Sequence, residues 1–101
     1  GLRVPAMVRP LTVLANDRAE KNIHLRRSAL AALAALGTGA ALRGVAGGLE
    51  AEDPYLRHAA AALLEEKAGR RFGFDPLAGA EENRPALLKI HAWGRTLPGW
   101  E

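Results

Sequence analysis

His24, His58 and His91 are the only histidines, and the chain has no cysteine. No two of them stand four residues apart, so none forms the pair on one helical turn that a metal site needs, and no thiolate is available to complete one. Glu20 lies four residues before His24, but Asn22 between them reads as the start of a helix, which separates the two. Ser28 sits in an Ala-rich stretch with no His or Asp at a spacing that would activate it as a nucleophile. Glu65-Glu66 and Glu81-Glu82 are adjacent pairs, and neighbouring positions on a helix diverge, so neither makes an acid–base dyad. The residues therefore name no catalytic group, no metal ligand set and no cofactor site, and the expectation is a protein that is not an enzyme.

What remains is mostly cationic. Lys67, Arg70 and Arg71 form the densest basic cluster, a candidate contact for an anion or a phosphate. Arg26, Arg27 and Arg43 would extend it if folding brought them to one face. Glu65 and Glu66 oppose that use, and cations also suit the C-terminal end of a helix for its own sake. The net charge of +3 is unevenly placed: residues 1–50 hold seven Lys/Arg against three Asp/Glu, and 51–101 hold seven against eight. That is a basic bias, not the composition of a dedicated nucleic-acid binder.

These groups ride on helices that repeat. Leu25-Arg26-Arg27-Ser28-Ala29-Leu30-Ala31-Ala32-Leu33 lies over Leu56-Arg57-His58-Ala59-Ala60-Ala61-Ala62-Leu63-Leu64, 31 positions on, and Leu11, Leu14 and Ala15 lie over Leu42, Val45 and Ala46. A fixed period of this size marks a stacked-repeat architecture. Pro10 suits a first turn, giving a short helix to Asn16. Asn22 caps a helix over 23–36 closed by Gly37, with Leu25, Ala29, Ala32, Leu33 and Leu36 inward. Thr38 caps a third, to Leu49, with Leu42, Val45, Ala46 and Leu49 inward. Gly44, Gly47 and Gly48 weaken that helix but leave room for a neighbour to come close. Asp53-Pro54 starts a fourth, carrying Leu56, Ala60, Leu63 and Leu64 and ending near Gly69. A loop with Phe72 and Phe74 leads to a last helix over 80–93, in which Pro85 must fall in about the first turn. No segment alternates as a strand does, so the fold class is all-α: one domain over 1–101, with repeat units at 10–36 and 37–69 and a cap and tail at 70–101.

Composition agrees. Hydrophobic residues are 49%, but much of that is Ala, and aromatics are 5%, which implies a thin core of close helix contacts. The longest charge-free run, Ser28 to Leu42, is short of the ~20 apolar residues a bilayer requires, and no membrane span is expected. Arg26-Arg27 before that run imitates an export signal, but its distance from the N-terminus and its place in the repeat mark it as a buried helix. The chain begins Gly1-Leu2 rather than with Met, the start expected of a processed or partial chain.

The unit Asp53-Pro54-Tyr55-Leu56-Arg57-His58-Ala59-Ala60 resembles the HEAT-like repeats of the type found in phycobilisome lyases. The resemblance implies a short α-solenoid of two to two-and-a-half antiparallel helical pairs with an Asp…Arg pair at each first helix. Asp53 and Arg57 match that pair, and their four-residue spacing fits a local ion pair. Asn22 and Arg26 match with Asn for Asp, so the first copy is expected to lack it. In either copy the arginine is expected to tie adjacent turns together through a loop carboxylate or carbonyl. The stretch Gly69–Pro76, with Asn83-Arg84 and Trp93, resembles tails after terminal repeats in some bacterial proteins. Phe72, Phe74 and Trp93 then form a lid, while Trp100 is expected to meet an outside partner. The N-terminal end, at Val8, Leu11 and Leu14, lacks a lid and is a candidate surface for another protein or a second copy of the chain. The expected role is a scaffold, a non-catalytic assembly module. The alternatives are a nucleic-acid-binding repeat using Lys67, Arg70 and Arg71, and a lyase-like accessory that binds a tetrapyrrole.

Overall fold

The computed structural model describes residues 3–101, with side chains from Ala6 onward; the Gly1-Leu2 start lies outside the described residues. Among these residues there are five α-helices, one 3₁₀ turn and no strand: α1 (Arg3–Ala15), α2 (Ile23–Leu36), α3 (Gly39–Ala46), the 3₁₀ turn Gly47–Glu50, α4 (Pro54–Ala68) and α5 (Ala80–Gly94). The chain is all-α. No helix among them is long and apolar enough to cross a membrane.

The helix ends fall where their capping chemistry puts them. The Asn22 carboxamide accepts the Leu25 amide, the Thr38 hydroxyl accepts the Ala41 amide, and the Asp53 carboxylate accepts the Tyr55 amide with Pro54 following. Gly37 and Gly69 close α2 and α4 in the left-handed conformation, at φ 70° and 67°. The start of α1 differs from expectation. Pro10 lies inside the helix, not at its start. Its ring is exposed, so the fold loses one backbone bond to a proline without a clash in the core. Pro85 likewise sits exposed in the second turn of α5. The third helix stops at Ala46 and tightens into the 3₁₀ turn, as two consecutive glycines allow.

α2 and α3 are the central elements, each packed against α1, against α4 and against each other, while α5 rests on α3. The chain is 39 × 33 × 19 Å, and the short dimension holds about two helix diameters. Small residues permit this closeness. A Cβ on Gly48 would stand 2.9 Å from the Ala60 Cβ of α4, and one on Gly44 would stand 3.2 Å from a Leu33 methyl of α2. The inward positions of α3 and its 3₁₀ turn are Leu42, Val45, Ala46 and Leu49, as expected. On α2 the buried face is turned by a residue: Arg26, Ala29, Leu30, Leu33 and Ala34 are inside, and Leu25 is 41% exposed. α4 buries Leu56, Ala59, Ala60, Ala61 and Leu64.

Candidate functional site

The two arginines in register are the most connected polar side chains of the fold. Arg26 is 1% exposed. Its Nε donates to the Ala15 carbonyl at the end of α1 (3.2 Å), and Nη1 and Nη2 donate to the two oxygens of Glu52 (2.7 and 3.1 Å). Arg57 is half-buried; its Nη1 donates to the Ala51 carbonyl and its Nε to the Pro76 carbonyl, both at 2.8 Å. Arg26 thus joins the end of α1 to the loop before α4, and Arg57 joins the end of the 3₁₀ turn to the loop before α5.

This corrects the expected ion pair between Asp53 and Arg57. The Asp53 carboxylate is occupied by the Tyr55 amide (2.8 Å), and Arg57 turns to carbonyls instead. It also reverses the assignment between the copies, because Arg26, in the copy without an Asp, holds the ion pair. The missed partner is Glu52. Of the acidic doublet Glu52-Asp53, the residue before Pro54 is committed to capping, and that leaves its neighbour for a distant cation. Hydrogen bonds from Arg26 and then from its own backbone N–H hold the Glu52 carboxyl below its ordinary value; the charges of Arg26 and Arg18 act in the same direction. Arg18 reinforces the junction by donating to the Glu50 carbonyl (3.0 Å).

The other sequence-derived candidates are placed as follows. Val8, Leu11 and Leu14 are half-buried against the core; among the described residues of α1 the exposed large apolar side chains are Met7 and Val13, at 46% and 61%. Between α1 and α3 runs a groove of about 410 Å³, with Val8, Thr12 and Val13 on one wall, Gly44 and Gly47 on the other, and Arg9 and Arg43 at its edges. Phe72 is buried, and Phe74 and Trp93 pack on the core beside it, with Phe72 and Trp93 ring centres 5.9 Å apart. Trp100 is not an outside contact. It is 3% exposed, lodged against Trp93 and His91, with the Arg43 guanidinium 5.5 Å from its ring centre. Gly39 and Gly94 make that seat, since a Cβ on Gly39 would overlap the backbone of Pro98 and Trp100, and one on Gly94 the indole ring. The Trp100 Nε1 is the one buried side-chain polar atom without a hydrogen-bond partner among the described residues.

Lys67, Arg70 and Arg71 are all exposed at the end of α4 and the loop after it. Arg70 lies over the Phe72 ring, 5.0 Å from its centre, and the Glu65 carboxylate accepts the Phe72 amide. The structure does not bring Arg26 to this cluster, since its guanidinium is buried. His24 stacks edge-on to Tyr55, with Arg27 6.0 Å from the centre of the same ring. Glu20 stays outside α2, where its carboxylate accepts the Asn22 amide. No group of three or more His, Asp or Glu gathers in metal-binding geometry among the described residues.

No family model matches the chain, and neither a curated protein nor a solved structure does so.

Proposed function

We propose that this chain is a non-catalytic assembly module, a short stack of HEAT-like helical repeats that presents rigid paired helices to another protein or to a second copy of itself. The observation that carries the reading is the doubled arginine clamp. Two guanidiniums in the same register each tie a preceding segment to a following loop, which is what successive units of one stack require of a residue at the same place. The α1–α3 groove and the exposed Met7 and Val13 supply the surface for association, since a stack ends in an apolar face that a neighbour covers.

Light scattering across a concentration range tests this. A mass rising above the 10.7 kDa of one chain, and returning to it in Val13→Glu, supports self-association through α1. A monomer at every concentration, with no change on mutation, removes the second copy as partner and leaves only association with a different protein. The phosphate-binding alternative rests on the exposure of Lys67, Arg70 and Arg71. Its signature is affinity for a nucleic acid that falls steeply with salt and is lost in Arg70→Ala/Arg71→Ala. Glu66, exposed beside Lys67, works against it.

A further inference from the structure

The two clamps differ in one respect. Arg26 gives a single bond to a carbonyl and keeps Nη1 and Nη2 for the carboxylate of Glu52. Arg57 gives Nε and Nη1 to carbonyls, and its Nη2 has no hydrogen-bond partner among the described residues. That atom is not sealed from solvent, and no carboxylate pairs with the guanidinium among the described residues. In the repeat register the position of Glu52 falls on Asn83. Asn83 is buried and both ends of its amide are committed: Nδ2 donates to the Asp75 carbonyl (2.7 Å), and Oδ1 accepts the Asp75 amide (2.8 Å). The second copy thus keeps the arginine and lacks the acid. In front of Arg57 lies a recess of about 390 Å³, walled by Leu49, Phe74, Ala78 and Leu87, with Glu50 also lining it.

We propose that this recess binds a small apolar carboxylate, whose anionic head takes on Arg57 the place that Glu52 holds on Arg26. A guanidinium with a free N–H is the strongest recogniser of a carboxylate that a side chain offers. The volume suits a ligand of modest size, and the walls suit an apolar body. Glu50, which also lines the recess, adds a negative charge that disfavours more highly charged anions most.

The test is a titration of ¹⁵N-labelled protein with benzoate, following the Arg57 side-chain signal and the Gly79 and Ala80 amides that line the recess. Methyl benzoate and inorganic phosphate serve as controls. Saturable shifts in the millimolar range or below are expected with benzoate, with neither control matching it. Affinity should fall at least about tenfold in Arg57→Gln. Ala78→Glu, which places a carboxylate inside the recess and leaves Arg57 in position, should abolish binding and keeps the test decisive if Arg57→Gln does not fold. Equal binding of methyl benzoate or phosphate, unchanged binding in both variants, or no saturation at all overturns the proposal. The recess shares no residue with the α1–α3 groove, so this outcome is independent of the mass measurement.

Discussion

A guanidinium that is 1% exposed is tolerated because each of its three nitrogens has an acceptor. Glu52 supplies most of that answer, and its carboxyl is held below its ordinary value of 4.5 by Arg26 first. A carboxyl depressed by folding contributes stability that is complete above its unfolded value and is lost as pH falls through the folded one. The urea midpoint should therefore be flat near neutrality and fall on acidification below about pH 4.5. Glu52→Gln should lower the unfolding free energy at pH 7, by on the order of 2 kcal/mol given the partial exposure of the acid, and remove much of the acid-induced loss. Trp100 offers a second test. Its indole N–H has no partner, so Trp100→Phe loses packing but no hydrogen bond and should cost about 1–2 kcal/mol. Trp100→Ala should cost about 3 kcal/mol or more, measured by thermal or urea unfolding.

Among the elements, local chemistry was legible in the sequence and distant chemistry was not. Asn22, Thr38 and Asp53 declared three helix starts, and Gly37 and Gly69 two ends, because a cap is decided within about four residues. Glu52, the partner of Arg26, and Pro76, a partner of Arg57, lie 26 and 19 residues away along the chain, and no local rule reaches that far. The i,i+4 rule instead pointed to Asp53, whose carboxylate was already taken. Pro10 misled for a related reason: a proline is a good first residue, but an exposed ring is also tolerated within a helix that packs well on its other side. Replacing it should then restore a backbone bond to the Ala6 carbonyl, and Pro10→Ala should raise stability by about 1–3 kcal/mol. Gly48→Ala should act oppositely despite the better helix former. Its methyl would crowd Ala60 and Leu30, costing about 1–3 kcal/mol in the same unfolding assay.

For the molecule as a whole, the all-α class followed from the absence of strand alternation and the run of caps, and its thinness from an apolar content rich in Ala and poor in aromatics. The burial of Trp100 did not follow. Pro98-Gly99 signals a turn, but only the matching gaps at Gly39 and Gly94, from two separate helices, make a seat for the ring. That seat has a spectroscopic consequence. Both tryptophans of the chain meet there, with ring centres 6.2 Å apart. Coupled indole transitions at that distance give a near-ultraviolet circular dichroism contribution that requires Trp100 to be docked against Trp93. That coupled contribution therefore follows the release of residues 95–101 from α3 and α5, while far-ultraviolet bands follow the helices. If the two unfold at different denaturant concentrations, the difference is the separate stability of that turn.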